Sequence, residues 1–281
     1  MKLVSFHTGN GANRPGALHN GQVFDLSGNY ASVLSIIEAG SSALQPLLAE
    51  ITSGKHQPVE TAQLLAPIAH PPRIFGIGLN YADHATESKM NVQKVPTVFM
   101  KLSSSVCGPG DEVILPRNSS EPDYEAELGV IIGKGGYRIP ADRWQEHVFG
   151  YTIVNDVSAR DVQLATSQWT LGKSFPTFTP MGPCIVTADE IADPHTLDIQ
   201  LDIDGETLQH ANTRDLIFKI PQIIEYISSL TPLEPGDVIS TGTPAGVGLG
   251  RDPRRWLKPG EEMVITIQNI GELRNRTRQE A

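Results

Sequence analysis

The chain of 281 residues is poor in cysteine, in basic clusters and in long apolar runs. Its two cysteines, Cys107 and Cys184, are too few for a disulfide scaffold and lack the C-x-x-C spacing of a zinc or redox site. The 32 acidic and 22 basic residues give a formal charge of −10 without any basic block, so we expect no nucleic-acid partner. No apolar run is long enough for a membrane span and no signal peptide is evident, so we expect a cytoplasmic protein without a membrane partner.

Several familiar catalytic motifs are also missing. The segment 172–174 reads Gly-Lys-Ser, like the end of a phosphate-binding loop, but that pattern requires glycine where Ser167 stands. The Gly-Ile-Gly of 76–78 begins like a dinucleotide fingerprint, yet the third glycine would fall at Tyr81. There is no G-x-S-x-G elbow and no H-E-x-x-H helix, so a serine hydrolase or a zinc protease gains no support.

Residues 1–66 are predicted to form a small N-terminal α+β domain. Asn20 and Gly21 separate two short extended stretches, and this pair is the strongest short signal for a β-hairpin. Two short helices are expected at Ser32–Glu38 and Ser42–Ile51, because a glycine follows shortly after each of them.

Residues 67–281 are predicted to form the catalytic domain, in which strands dominate. Apolar and polar residues alternate over 197–203, and an Asp-Gly pair at 204–205 turns the chain into a further strand. One clear helix begins near Ile220, where isoleucines recur with helical spacing. Too few helices separate the strands for a doubly wound parallel sheet. We therefore predict an α+β fold built on a mixed or antiparallel β-roll or sandwich.

The segment 121–136, EPDYEAELGVIIGKGG, places two glutamates at the start of an apolar strand. Because side chains alternate along a strand, Glu125 and Glu127 lie on the same face. Two like charges on a half-buried face need compensation, for which a divalent cation is the obvious candidate. Asp156 closes another apolar stretch, and the three carboxylates together fit an octahedral Mg²⁺ or Mn²⁺ site. The alternatives are a solvated strand end for the glutamates and a turn or cap for Asp156.

The segment 76–88, GIGLNYADHATES, carries a candidate general base. His84 and Glu87 are three residues apart and meet on one face if a short helix forms. Glu87 would then fix the tautomer of His84, which would activate a water molecule, and the glycine-preceded segment suits a lid. The alternative is an exposed histidine on a polar loop.

Two further segments are candidates for substrate contact. Lys173 is a lone cation in the aromatic and glycine-rich run WTLGKSFPTFTPMGP, where it could stabilise an oxyanion or else extend its ammonium to water. The small residues of 240–250, STGTPAGVGLG, let backbone amides approach a ligand, although a plain surface loop explains them nearly as well.

From about residue 70 to the C-terminus the chain resembles the fumarylacetoacetate hydrolase family, in its group of single-chain acylpyruvate hydrolases and decarboxylases. The resemblance lies in seven ordered motifs: GIGLNYADHATE, PTVFMKLSSSVCGPGD, DYEAELGVIIG, VNDVSARDVQ, WTLGKSFPTFTPMGP, LTPLEPGDVISTGTPAGVG and LKPGEEMVITIQNIGELRN. It implies the family's mixed β-sandwich roll for the main domain, usually built as a homodimer. One departure is Pro176, where many relatives carry Asp, and it bears on substrate selection or local loop shape.

The resemblance also implies roles for individual residues. Glu125, Glu127 and Asp156 match the family's carboxylate ligands to Mg²⁺ or Mn²⁺. His84 and Glu87 match the pair on the lid segment that activates water.

The residues implied in substrate binding lie on three other segments. Lys173 matches the lysine near the reacting carbonyl. Arg160 and Gln163 match polar residues beside it, and Thr243 lies in the loop that closes over the substrate.

The expected reaction is metal-dependent hydrolysis of a carbon–carbon bond in a β-diketo acid. The substrate would be an acylpyruvate or a fumarylacetoacetate-like acid, including 2,4-diketo-3-deoxy sugar acids. The same residues would also serve a metal-dependent decarboxylase or keto–enol isomerase acting on oxaloacetate or a related 2-oxo acid. A catalytically silent metal-binding protein is the alternative of another class. His84, Glu87 and Lys173 argue against it, because a structural cation needs none of them.

Overall fold

The computed structural model describes residues 1–9, 11–87 and 93–281, so that Ser88, the last residue of the segment 76–88, lies outside the described residues. The strands of the described residues are β1 (Lys2–His7), β2 (Arg14–His19), β3 (Gln22–Asp25), β4 (Pro58–Val59), β5 (Gln63–Leu65), β6 (Ile74–Gly78), β7 (Thr97–Lys101), β8 (Val106–Cys107), β9 (Glu112–Leu115), β10 (Pro122–Asp123), β11 (Ala126–Ile132), β12 (Val148–Asn155), β13 (Ser158–Ala159), β14 (Thr179–Thr187), β15 (Asp198–Ile203), β16 (Glu206–Asn212), β17 (Val238–Ser240), β18 (Glu262–Ile267) and β19 (Gly271–Gln279). The α-helices are α1 (Val33–Ala39), α2 (Leu44–Thr52), α3 (Ala82–Glu87), α4 (Arg160–Gln163) and α5 (Ile220–Leu230). Short 3₁₀ helices cover Ser41–Ala43, Ser103–Ser105, Ala141–Glu146, Ala188–Glu190, Thr213–Asp215 and Gly248–Gly250.

Local turn chemistry sets the boundaries of the first elements. Asn20 and Gly21 have the positive φ angles of 50° and 77° that a two-residue hairpin requires, and they join β2 to β3. Ser32 caps α1, because its side chain accepts a hydrogen bond from the Ser35 N–H. Gly40 ends this helix with φ 82°. The predicted hairpin and first helix are therefore confirmed.

Most strands belong to one large mixed sheet. Its main path runs β4-β3-β2-β1-β14-β12-β11-β17-β6-β7, while β5 joins at β1 and β8 joins at β14. A five-stranded sheet has the order β16-β15-β18-β19-β9, and β10 pairs with β13. The pairs β6–β17, β8–β14 and β9–β19 are parallel, and the other named pairs are antiparallel. The fold is thus α+β and dominated by mixed sheets, as predicted.

The centre of the large sheet positions the candidate site. All seven residues of β11 are buried, and β11 lies between β12 and β17 with antiparallel pairing on both sides. The start of β11 therefore lies next to the C-terminal ends of β12 and β17, at one end of these central strands. The C-terminal end of β6 lies at the same end of the sheet, because β6 runs parallel to β17.

The N-terminal elements share sheet and core with the rest of the chain. Strand β1 pairs with β14, with Lys2 opposite Val186. One buried cluster joins Ile36 of α1 to Ile131 of β11. The division into a domain at 1–66 and another at 67–281 stays a prediction.

Helix α5 confirms the helix that was predicted from the spacing of the isoleucines. Ile220, Ile223, Ile224 and Ile227 are all buried, and they pack into the core cluster that includes the central strands. In the described part of the chain, no helix is both long and apolar enough to cross a membrane.

Candidate active site

Three carboxylates meet at the end of the large sheet where β11 begins. Glu125 directly precedes β11, Glu127 is its second residue, and Asp156 directly follows β12. One carboxylate oxygen of each residue lies within 4.8 Å of those of the other two, and all three residues are buried. The main chain fixes their spacing, because the Asp156 N–H donates to the Glu125 carbonyl at 2.9 Å. The structure thus brings the predicted trio together.

Glu127 forms no ion pair within the described residues. Its Oε2 accepts hydrogen bonds from Ser240 Oγ at 2.6 Å and from the Gly242 N–H at 2.8 Å. Burial, together with the nearby Asp156 and Glu125 carboxylates, raises the pKa of Glu127 to about 8. The surrounding protein therefore stabilises negative charge on Glu127 poorly, and a cation at this point would correct that.

Two buried cations contact the other carboxylates. Lys173 Nζ donates to Glu125 Oε2 at 2.7 Å and to Asp156 Oδ2 at 2.8 Å. Arg160 Nη2 forms an ion pair with Glu125 Oε1 at 2.6 Å. Burial alone would raise the pKa of Glu125, but Lys173 and Arg160 outweigh burial and hold that pKa well below its usual range. Arg160 Nη1 also donates to Gln163 Oε1 at 2.9 Å, so these two predicted residues lie side by side.

The segment that carries His84 and Glu87 forms the expected short helix. In α3, His84 Nδ1 and Glu87 Oε1 are 2.9 Å apart, and both side chains are largely buried. The carboxylate accepts the proton of Nδ1, which leaves Nε2 as the basic nitrogen. The Gly246 N–H donates to both Glu87 oxygens, at 3.1 and 2.9 Å, and so ties α3 to the loop after β17.

A single pocket of about 410 Å³, including the space at its mouth, joins these groups. Seven of the nine candidate site residues named from the sequence line this pocket: His84, Glu125, Glu127, Arg160, Gln163, Lys173 and Thr243. Asp156 lies behind Lys173 and reaches the site through its carboxylate. Glu87 lies behind His84.

Two glycines of β6 make room for the aromatic wall of the pocket. A Cβ atom on Gly76 would lie 2.2 Å from Phe99 Cζ, and one on Gly78 would lie 2.4 Å from Trp169 Cζ3. Phe99 and Trp169 both line the pocket and pack edge to face, with centroids 5.5 Å apart. The Gly-Ile-Gly stretch that fails as a dinucleotide fingerprint thus has a steric role. Lys173 Nζ lies 5.1 Å from the centroid of the Phe99 ring.

Sequence reasoning missed two buried charged residues that support the carboxylates. Lys101 Nζ donates to Asp156 Oδ1 at 2.5 Å. Asp123 Oδ2 accepts from Arg160 Nε at 2.8 Å, and its Oδ1 accepts from the Gly248 N–H at 2.7 Å. Both residues lie inside or beside motifs quoted above, so the signal that could have found them is a buried charge next to a candidate ligand.

Gln209 is a further buried residue that the sequence did not single out. Its Oε1 accepts from the Ala126 N–H at 2.9 Å, and its Nε2 donates to Thr243 Oγ1 at 2.8 Å. Gln209 therefore connects the start of β11 to the loop after β17. It lies in β16, where the consecutive residues Leu208 and Gln209 are both buried, and we see no local signal that would have identified it.

The donor set fits a hard divalent cation. Three carboxylate oxygens close together are the ligands that Mg²⁺ and Mn²⁺ prefer, and a soft metal is disfavoured because the group contains no Cys or His ligand. The observation that most directly favours an ion here is that Glu127 is buried and forms no ion pair in the described part of the chain, while two carboxylates lie beside it.

Comparison with known proteins identifies the family. The sequence profile of the fumarylacetoacetate (FAA) hydrolase C-terminal domain matches residues 73–278. The chain belongs to the fumarylacetoacetate hydrolase family. This match covers every residue of the site described above.

Members of this family with different names are similar to the chain. An oxaloacetate tautomerase of Xenopus laevis, described as mitochondrial, is 40% identical over 98% of this chain and 89% of its own length. The structure of a fumarylacetoacetate hydrolase from Exiguobacterium antarcticum has a TM-score of 0.88 and 34% identity, with both chains fully covered. A maleylpyruvate hydrolase from Sphingobium sp. SYK-6, solved with manganese(II) ion and pyruvate, has a TM-score of 0.82 and 30% identity, again over both full chains.

These relatives show that the chain is an enzyme of a family with hydrolase and tautomerase members. The family resemblance and the sheet-dominated fold predicted from the sequence are confirmed.

Proposed function

We propose that the protein hydrolyses a carbon–carbon bond in a β-diketo acid with the help of Mg²⁺ or Mn²⁺. The substrate class is an acylpyruvate or a fumarylacetoacetate-like acid, which includes 2,4-diketo-3-deoxy sugar acids. The observation that carries this proposal is that His84, paired with Glu87, lines the same pocket as Glu125 and Glu127. The residue that would activate water and the carboxylates that would bind the metal ion therefore face the same bound substrate.

Glu125, Glu127 and Asp156 would hold the ion. When bound, a divalent cation supplies a Lewis acid that polarises the 2-oxo acid end of the substrate and accepts developing negative charge. The three carboxylates differ in their protein partners, and Glu127, without a cationic partner among the described residues, gains most from the ion.

His84 is assigned the general base. Its Nε2 takes a proton from water, whose oxygen attacks the carbonyl carbon farther from the carboxylate. The Glu87 carboxylate on Nδ1 stabilises the imidazolium that results. The carbon–carbon bond next to the attacked carbonyl then breaks, and the electron pair stays with the 2-oxo acid fragment. The proton held by His84 is available to that fragment, so acetylpyruvate and water would give acetate and pyruvate.

Lys173 is assigned to the oxyanion formed by this attack. Its ammonium has three N–H donors, two of which bond Glu125 and Asp156, so one donor remains for the substrate. Arg160 and Gln163 are assigned to substrate carboxylate binding, since both line the pocket and Arg160 brings a buried positive charge to it. Thr243 also lines the pocket, and its Oγ1 accepts a hydrogen bond from Gln209 Nε2.

A second candidate is keto–enol tautomerisation of oxaloacetate, or its decarboxylation, on the same residues. The observation that favours it is the 40% identity to an oxaloacetate tautomerase. Tautomerisation needs a base to move a proton between carbon and oxygen, which His84 could do, and needs no attacking water. The pocket geometry supports both reactions, because they share the 2-oxo acid end and the base.

The test is turnover of acetylpyruvate and of oxaloacetate by purified protein, with Mg²⁺, with Mn²⁺ and after EDTA. Loss of the diketo absorbance with formation of pyruvate and acetate supports the hydrolase. Loss of the enol absorbance of oxaloacetate without pyruvate formation, and no cleavage of acetylpyruvate, supports the tautomerase. Pyruvate from oxaloacetate alone supports the decarboxylase. Tight binding of metal without turnover of any 2-oxo acid supports a silent metal-binding protein.

The assembly and location of the protein are also part of the proposal. We infer a cytoplasmic homodimer, and the dimer is what the resemblance to the family implies. Light scattering after size-exclusion chromatography checks the dimer: a mass near twice 30.5 kDa is expected, and a mass near 30.5 kDa contradicts it.

A further inference from the structure

Lys101 is a buried cation that lies behind the candidate metal ligands. It is the last residue of β7, and its side chain is 0% exposed. It lies outside the set of side chains that line the pocket, so it does not face the substrate. A fully buried lysine is rare and needs a compensating partner.

Three oxygen atoms surround the Lys101 ammonium. Nζ donates to Asp156 Oδ1 at 2.5 Å, to the Val157 carbonyl at 3.3 Å and, through a short contact, to the Lys173 carbonyl. An ammonium has three N–H donors, and each finds one acceptor here. Lys101 is therefore one of two cationic partners of Asp156, and Lys173 is the other.

The two oxygens of Asp156 are thereby given different partners. Oδ1 faces Lys101, behind the site, and Oδ2 faces Lys173, beside the pocket. A carboxylate free to rotate could present either oxygen or both to an ion. With Oδ1 bonded to Lys101 behind the site, Oδ2 is the oxygen on the pocket side, where it accepts from Lys173 and has lone-pair capacity for an ion.

Lys101 also fixes the turn that carries Lys173. The Lys173 N–H donates to the Trp169 and Thr170 carbonyls, and its own carbonyl accepts from Lys101. One side chain thus joins three segments that are far apart in sequence, at residues 101, 156 and 173.

We propose that Lys101 is a positioning residue, which presents Asp156 to a divalent cation through Oδ2 alone and sets the position of Lys173. The inference rests on the proposed metal centre at Glu125, Glu127 and Asp156. Lys101 acts through these residues and touches neither substrate nor ion. Partners of metal ligands of this kind alter metal affinity by about 10–100-fold when they are removed.

The test is the dissociation constant of Mn²⁺, measured by the electron paramagnetic resonance signal of the free ion at a fixed pH. Wild-type protein, Lys101→Met and the control Lys219→Met are compared. Lys219 also bonds a main-chain carbonyl through Nζ, but at the start of α5 and outside the pocket. We expect the Mn²⁺ dissociation constant to rise by about 10–100-fold in Lys101→Met and to stay unchanged in Lys219→Met. An unchanged or lower constant in Lys101→Met overturns the proposal.

A second measurement does not depend on the folding of a variant. In crystals of the wild-type protein grown with Mn²⁺, Lys101 Nζ should remain bonded to Asp156 Oδ1 while Oδ2 binds the ion. Both Asp156 oxygens on the ion, or a Lys101 ammonium that has left Asp156, contradicts the proposal.

The Mn²⁺ titration separates this inference from the proposed reaction. Weakened binding in Lys101→Met supports the positioning role even if the wild-type enzyme hydrolyses no diketo acid. Equal binding in both proteins removes the role of Lys101 and leaves the hydrolase proposal in place. Failure of the wild-type protein to bind Mn²⁺ overturns the metal centre and the role of Lys101 together.

Discussion

At the scale of single residues, the proposal depends most on the imidazole of His84. It is held by Glu87 from one side, and Glu87 is held in turn by the Gly246 N–H. Among the described residues, the carboxylate trio makes no hydrogen bond to His84, although Glu125 lies close enough to feel the charge of its ring. Water activation and metal binding are therefore expected to be separable by mutation.

Replacing His84 by alanine should remove hydrolysis and leave metal binding intact. General base catalysis contributes about 10²–10⁴-fold, so we expect kcat for acetylpyruvate to fall by that factor in His84→Ala. The Mn²⁺ dissociation constant should match that of the wild type. Glu87→Gln is the graded control, because it keeps an acceptor for Nδ1 but loses the charge, and its kcat should fall less. A His84→Ala protein with wild-type kcat would remove His84 from the mechanism.

At the scale of secondary-structure elements, β6 shapes the pocket because its glycines leave room for aromatic rings. Gly78 has no side chain, and the Trp169 ring occupies that space. In Gly78→Ala the new Cβ would lie 2.4 Å from Trp169 Cζ3, so the ring must move. Overpacking of this kind costs about 1–3 kcal/mol of unfolding free energy.

We expect Gly78→Ala to lower both kcat/KM and stability, whereas Gly28→Ala should change neither. Gly28 is the matched control, because a Cβ there meets nothing within 4 Å. Urea unfolding and acetylpyruvate kinetics measure the two effects. The double variant Gly78→Ala/Trp169→Leu should recover part of the lost stability. Equal behaviour of the two glycine variants would show that the Trp169 ring does not depend on the space above β6.

Helix α5 offers a prediction about pH. His195 Nε2 accepts the Ile220 N–H at 3.2 Å, at the first turn of the helix, and its Nδ1 lies 3.2 Å from Asp193 Oδ1. A neutral ring makes both bonds, whereas a protonated ring loses the first and places a positive charge at a helix N-terminus. Burial lowers the pKa of His195 from its ordinary 6.5, although Asp193 opposes the shift.

The sign of the pH effect follows from this lowered pKa. Between the folded and unfolded pKa values the unfolded chain binds more protons, so stability rises with pH there. The contribution of His195 is present above pH 6.5, and it is lost as the pH falls through the folded pKa. Urea unfolding at pH 7.5 and 5.5 should therefore show a larger loss of unfolding free energy in the wild type than in His195→Gln. Identical losses in the two proteins would contradict this role of His195.

At the scale of the whole molecule, a metal ion should stabilise the folded chain. The unfolded chain does not hold the three carboxylates together, because Glu125 and Glu127 lie at the start of β11 whereas Asp156 follows the end of β12. An ion present at 100 times its dissociation constant adds about 2.7 kcal/mol, which in a chain of this size raises Tm by about 5 °C.

Glu127→Gln is the variant that tests this stabilisation. Gln can still accept the bonds from Ser240 and Gly242, and it removes a carboxylate whose pKa is already raised to about 8 by burial and by its neighbours. We expect its metal-free Tm to equal or exceed that of the wild type, and its Tm to stay constant when Mn²⁺ is added. A wild-type rise in Tm that survives in Glu127→Gln would place the stabilising ion elsewhere.

Much of the fold and the site could be predicted from the sequence where the physical cause is local. The Asn20-Gly21 hairpin and the His84–Glu87 pair each depend on a few adjacent residues. The supporting contacts could not be predicted in that way, because Lys101 lies 55 residues from Asp156 and Gln209 lies 83 residues from Ala126. Only the register of the sheets brings such pairs together.

The central claim is that this pocket cleaves a carbon–carbon bond by adding water, and that a divalent ion is needed. The most direct measurement is cleavage of acetylpyruvate in ¹⁸O-labelled water by EDTA-treated protein, before and after Mn²⁺ is added. The account predicts no cleavage before addition, and afterwards one molecule of pyruvate for each molecule of acetate, with ¹⁸O in the acetate. Cleavage at the same rate in EDTA, or no cleavage with Mn²⁺ bound, would contradict it.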